Sequence, residues 1–221
     1  MPGKNTRLLD GIAVLERTIA IARASKVGEQ IFVSTDAAEI SAMASSLGVQ
    51  VIERPGDLAD DHTPLLPVIN HALGVLTGLG LVKDTTPVAC LYATAVTLDP
   101  LDFARGFGQL VDSLTADSSR LVTGVVEYPH PIERAMSRDS NGNLESISPQ
   151  FASTRTQDLP GRYFDAGAFI WGFARDWYNP EPVLRRAQGC VLPAWRSVDL
   201  DTESDWERAE LVISALQGRQ R

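Results

Sequence analysis

From residue 30 to residue 128 the chain alternates short apolar runs with longer segments whose apolar residues recur every three to four positions. The runs are "QIFVSTD" (30–36), "VQVIE" (49–53), "PVACLYAT" (87–94) and "RLVTGVVEY" (120–128), each with the length and composition of a buried strand. Between and before them, "GIAVLERTIAIARASK" places Ile12, Leu15, Ile19 and Ala22 at helical spacing, and "AAEISAMASSLG" ends at Gly48 as a helix C-cap. Thr63 to Leu79 and "DPLDFARGFGQLVDSL" read as further helices. This rhythm constrains the fold more than any other feature. Continuous apolar strands separated by helices predict a parallel sheet covered on both faces, hence an α/β domain.

After residue 128 the rhythm changes. "PIERAMSRDSNGNLESIS" carries Asn141-Gly142 between two short extended runs, which predicts a hairpin. We expect residues 128–163 to leave the main layer as a small β excursion able to meet a second subunit. "RYFDAGAFIWGF" and "CVLPAW" read as later strands. The closing helix is predicted by a capping box at Thr202 and Asp205 and by the stripe Trp206, Ala209, Ile213 and Leu216. There is no internal repeat and no low-complexity segment, so 221 residues are read as one domain.

Charge narrows the partners. A formal net charge of −8 argues against a general nucleic-acid or membrane binder, because phosphate backbones and anionic lipids are repelled. An anionic substrate must then be held by local cations. Cys90 and Cys190 lack metal-ligand spacing and suit a reducing compartment, and the start "MPGKNTRLLDG" has no apolar signal core, so a cytoplasmic location is expected. His62 and His71 have no partners at ligand spacing, which argues against zinc, and His130 between two prolines reads as a turn residue.

Three segments carry candidate chemistry. In "VDLDT", Asp199 and Asp201 stand two apart, so on an extended segment they share a face while Leu200 points to the core. Such a pair is a divalent-metal seat, a phosphatase nucleophile of the DxDxT kind, or a solvated turn. The phosphatase reading needs much of a domain to follow, and the chain ends at Arg221. "ERPGDLADD" puts Arg54, Asp57, Asp60 and Asp61 in a loop after a strand, where open α/β sheets bind ligands. Asp36, closing "VSTD", reads as a cap of the next helix. "TRTQDLPGRYFDAGAF" gathers Arg155, Gln157, Asp158, Arg162 and Asp165, and Arg155 suits bidentate capture of a carboxylate.

Taken in order, "KNTRLL", "IFVSTD", "ERPGDLADDHT", "CLYAT", "PHPIERA", "TRTQDLPGRYFDAGAFIWG" and "DLDTESDWERAE" resemble the cytidylyltransferases that activate nine-carbon acidic sugars, the CMP-N-acylneuraminate (sialic acid) synthetase family. "TRTQDLPGRYFDAGAFIWG" favours the branch acting on pseudaminic acid. The resemblance implies a Rossmann-like nucleotidyltransferase fold, a three-layer sandwich, in a homodimer that joins CTP to the free sugar acid and releases pyrophosphate. It also implies roles. Lys4 and Asn5 would meet the nucleotide's phosphate and ribose, and Arg54 the cytosine or triphosphate. Tyr92 and Thr94 would flank the sugar with Arg134 nearby and Gln157 beside it, and Arg155 would clamp its carboxylate. Asp199 and Asp201 would hold Mg²⁺.

Two departures accompany the resemblance. The family begins with an apolar strand and a phosphate-binding loop ending in Pro-x-Lys-Asn, and "MPGKN" starts inside that motif. A central strand left out strands its neighbours with unpaired backbone groups, at about 1–3 kcal/mol each. The expectation is a start assigned too late, a loop lost from this residue set, or a sheet reordered around the gap, the last giving a non-catalytic nucleotide- or sugar-binding relic. The second departure is "ATAVTL", where relatives favour proline near Val96. It leaves N-acylneuraminate as an alternative sugar.

Overall fold

The computed structural model describes residues 3–28, 30–60, 62–114 and 121–218, so Asp61 lies outside the described residues. A two-stranded ribbon, β1 (Leu8–Leu9) with β2 (Ile12–Ala13), turns through Asp10 and Gly11 into α1 (Val14–Ser25). Ile12, expected on that helix, is instead an exposed ribbon residue; the buried face of α1 runs through Val14, Leu15, Thr18, Ile19 and Ala22. Then follow β3 (Phe32–Thr35), α2 (Ala38–Ser46), β4 (Gln50–Glu53), α3 (Leu65–Gly78), β5 (Pro87–Leu91), α4 (Pro100–Ser113) and β6 (Leu121–Glu127). Gly48 closes α2 with φ of 67°, a conformation glycine adopts without strain. Asp36 does not cap α2: the N-cap position is Ala37, no side chain caps the helix, and the Thr35 hydroxyl accepts from Ala37 N at 3.1 Å in the turn that precedes it.

The hairpin forms as expected: β7 (Met136–Arg138) pairs with β8 (Leu144–Ser146) across Gly142. The chain returns in β9 (Tyr163–Phe173), passes a short helix α5 (Val183–Arg186) and β10 (Ala187–Leu192), and ends in α6 (Glu203–Gly218).

Helices cover both faces, giving three layers. α1, α2 and α4 pack on one side, with Phe103 and Phe107 of α4 against Phe169 and Trp171. α3, Trp177 and α5 close the other side over Leu121 and Ile170. The sheet itself corrects the parallel expectation. The four strands order β10-β6-β9-β5, and β9 runs antiparallel to both β5 and β6, because it arrives from the hairpin excursion rather than from a crossover helix. β3 and β4 form a separate parallel pair. That pair shares its covering helices with β5, yet among the described residues no ladder joins β3 to β5.

Packing on α4 separates two glycines. A Cβ at Gly106 would meet Phe169 at 2.5 Å, and Phe169 is wholly buried, whereas a Cβ at Gly108 would meet nothing within 4 Å. Gly108→Ala is therefore expected to gain about 1 kcal/mol through helix propensity. Gly106→Ala is expected to lose about 1–3 kcal/mol through overpacking. Urea midpoints of the two variants check the opposite signs.

Candidate active site

Residues 198–201 follow the turn after β10. Val198 and Leu200 are buried against Trp206, Ala209 and Ile213 of α6, and Asp199 and Asp201 are exposed on the opposite side. The alternation read from the sequence holds, although the segment joins no ladder and is held by side-chain burial instead. Immediately beyond, Thr202 and Asp205 form the expected reciprocal cap: Asp205 Oδ2 accepts from Thr202 N at 2.9 Å, and Thr202 Oγ1 accepts from Asp205 N at 3.2 Å. The aspartate pair thus stands at the positive end of a capped helix.

The first described residues dock there. Arg7 forms a two-pronged bond to Glu203 at 2.7 and 2.9 Å and lies 4.0 Å over the Trp206 ring. Asn5 accepts from Leu15 N through its carbonyl, and Lys4 Nζ donates to Leu200 O at 2.9 Å and to Asp201 Oδ1 at 3.2 Å. Two sequence-distant candidates, Lys4 and the aspartate pair, therefore share one place. Asp199 is open to solvent on its outer side but covered on its inner one, and that partial burial pushes its carboxyl above the ordinary range; Asp201 pushes it further, and Lys4 partly opposes both.

Asp199 owes its position to β9. The register passes from Thr123↔Ile170 to Val125↔Asp165, so extra residues of β9 bulge opposite Gly124. At the bulge Gly167 has φ of 57°, its N–H bonds Asp165 Oδ1 at 3.0 Å, and a Cβ there would stand 2.7 Å from Asp199 Oδ2. Tyr92, just past β5, is tied by its N–H to the Ala168 carbonyl at 3.0 Å. Its hydroxyl is pushed up by burial first, then by Cys90, Asp165 and Asp199. Thr94 is buried in the same loop.

The other candidates lie elsewhere. Arg54 folds over the end of β3: its N–H bonds the Thr35 carbonyl at 2.9 Å, and its guanidinium reaches the Ser34 carbonyl at 2.6 Å and hydroxyl at 3.3 Å. Carbonyls alternate along a strand, so the guanidinium caps the edge of β3 that β4 does not use. Its charge also draws down the Cys90 thiol, which burial nevertheless pushes up to about 12. Arg134 donates to the carbonyls of Ala152 and Thr154, Arg155 pairs with Asp158 at 2.7 Å, and Gln157 is exposed. These three belong to the excursion, and the bonds of Arg134 and Arg155 stay within it. Sequence reading passed over Gly167 as a seat for Asp199. The only signal was a glycine inside an otherwise apolar strand.

The family model described as cytidylyltransferase matches residues 1–137, more than half of the chain. The chain belongs to the cytidylyltransferase family. A pseudaminic acid cytidylyltransferase from Campylobacter jejuni is 28% identical over 214 residues, 96% of this chain and 90% of the relative. An N-acylneuraminate cytidylyltransferase B from Danio rerio is 25% identical over 95% of this chain and 47% of its own length. Among solved structures, 4-diphosphocytidyl-2C-methyl-D-erythritol synthase superposes with a TM-score of 0.66 at 14% identity, over 95% of this chain and 94% of that one. CMP:2-keto-3-deoxy-manno-octonic acid synthetase, complexed with CTP, gives 0.64 at 14% identity over 97% and 93%. The fold is thus the Rossmann-like sandwich of these two, and family membership makes the chain a CTP-dependent nucleotidyltransferase.

The donor set fits a hard divalent cation. Asp199 and Asp201 are oxygen donors on one side of the chain, and their repulsion is relieved by positive charge. Among the described residues no group of three or more His, Cys, Asp or Glu could hold a metal, and Mg²⁺ typically takes one or two carboxylates and completes its shell with phosphate and water.

The raised Asp199 carboxyl has a stability consequence. The native state holds that proton more tightly than the unfolded chain, so its contribution is full below about pH 4 and is lost as pH rises through the raised value. Asp199→Asn, without added metal, is expected to melt higher than wild type at pH 7, with the gap closing toward pH 3. A melting series across that range checks it. Gly167→Ala is expected to lose most activity while remaining folded, and circular dichroism with a turnover assay separates the two effects.

Proposed function

We propose that this cytidylyltransferase transfers CMP from CTP to an acidic nine-carbon sugar, pseudaminic acid foremost and N-acylneuraminate as the alternative, releasing pyrophosphate. The observation that carries the proposal is the convergence of Lys4 Nζ with the outward pair Asp199 and Asp201 at the N-terminus of α6. The named substrates of the Campylobacter jejuni and Danio rerio relatives support the choice of sugar.

In this reading a sugar hydroxyl forms a bond to the α-phosphorus while the bond to the departing pyrophosphate breaks on the opposite side. Asp199 and Asp201 would hold Mg²⁺, which when bound neutralises phosphate charge and acidifies a coordinated hydroxyl. Lys4 swings from Asp201 toward the α-phosphate as a compact positive charge. Tyr92 and Thr94 orient the sugar, with Asn5 and Arg54 on the nucleotide. Arg155 exchanges Asp158 for the sugar carboxylate, assisted by Arg134 and Gln157.

The excursion supports a homodimer. Tyr128, Ile132, Met136, Leu144, Ile147 and Tyr163 are exposed along it, an apolar surface suited to a second copy. No helix among the described residues is long and apolar enough to cross a membrane, and a cytoplasmic site of action accords with a CTP donor. Light scattering at twice the 24.0 kDa chain mass checks the dimer, and a monomer at all concentrations overturns it.

Incubation with CTP, Mg²⁺ and each sugar acid is expected to release pyrophosphate. Asp199→Ala or Asp201→Ala is expected to lower kcat at least ~100-fold, about 3 kcal/mol of transition-state stabilisation. No release with any acidic nine-carbon sugar overturns the proposal.

A further inference from the structure

Two segments supply the site, and both end on one partly buried cluster of charges centred on Asp102. Residues 92–98, with Tyr92 and Thr94, run into Asp99, which caps α4 by accepting from Leu101 N at 2.9 Å. Residues 197–201, with Asp199 and Asp201, begin directly after Arg196. The Arg196 guanidinium joins the two: Nη1 donates to Asp99 Oδ2 at 3.0 Å, and Nη2 donates to Asp102 Oδ2. Asp102 is only 4% exposed at its side chain, and its other oxygen pairs with Arg105 at 2.6 Å. Arg105 in turn donates to the Val191 carbonyl on β10 at 2.6 Å. Val96 packs with Val198 and Leu200, so the segments also touch through apolar side chains, and beside that contact a small cleft lined by Ala95, Thr97, Ser197 and Val198 lies between them.

A buried ion pair is a weak source of stability, since desolvation offsets most of its attraction. Its planar, two-pronged geometry is nevertheless a strong directional constraint. We infer that Arg196 is a positioning residue that holds the Tyr92 loop and the Asp199–Asp201 segment in catalytic register through Asp99 and Asp102. The inference rests on the cytidylyl-transfer reading for its kinetic consequence and on geometry for its structural one.

Asp99→Asn is the cleanest probe, because asparagine caps a helix as well as aspartate does. It keeps the cap and weakens the bond to Arg196. The expected result is a kcat lowered about 10-fold, a higher Mg²⁺ concentration for half-maximal rate and a little-changed KM for CTP. Arg196→Met is expected to be worse, and Arg196→Lys intermediate. Hydrogen exchange on the full chain supplies the reading that needs no activity. In Asp99→Asn the amides of 92–98 and 197–201 are expected to exchange faster together, with the interior of α4 unchanged. Unchanged exchange in both segments, or an increase confined to one, overturns the inference. So does a kcat and Mg²⁺ requirement equal to wild type in Asp99→Asn. A wild-type protein without turnover removes the cytidylyl-transfer reading alone, and the exchange result then decides the register by itself. Should Arg196→Met fail to fold, Asp99→Asn and Arg196→Lys carry the test.

Discussion

The Asp199 carboxylate lies against the bare Cα of Gly167, and the rest of the site is arranged around that contact. It requires a left-handed residue inside β9, which goes with the bulge of β9 opposite Gly124 on β6. It also requires residues 198–201 to arrive from outside the sheet with Val198 and Leu200 buried on α6. A side chain at position 167 would move a charged group, and a one-ångström shift in a reacting geometry is costly.

Electrostatics explain why such a place is held under tension. The chain carries a net charge of −8, and this corner adds two carboxylates, of which Asp199 is disfavoured by partial burial and by its neighbour Asp201. The fold compensates with Lys4, with the helix terminus, and with Arg7 fixing the early residues to Glu203. None of these satisfies both aspartates fully. That residual negative charge is what a divalent cation would relieve in the proposed reaction, and it is why Asp199 is read as functional rather than structural.

Much of this was legible beforehand. Helix and strand periods in residues 30–128 reflect burial on one or both faces, a local pattern that side-chain spacing reports directly. The Asn141-Gly142 hairpin and the Thr202/Asp205 cap were equally local. Less legible was the direction of β9: an apolar run looks the same in a parallel and an antiparallel ladder. Ile12 shows the related limit, since an apolar residue in helical phase can be claimed by a two-residue ribbon at the helix start.

By itself the sequence determined the layered α/β order, the outward phase of Asp199 and Asp201, and the chain's family likeness, because each depends on short-range spacing or on ordered motifs. Tertiary structure alone decided that Lys4 meets Asp201 across nearly the whole chain, that Gly167 seats Asp199, and that Arg196 ties two loops to Asp99 and Asp102. Those contacts join residues far apart along the chain. Only packing in three dimensions sets such distances, and no period or motif records them.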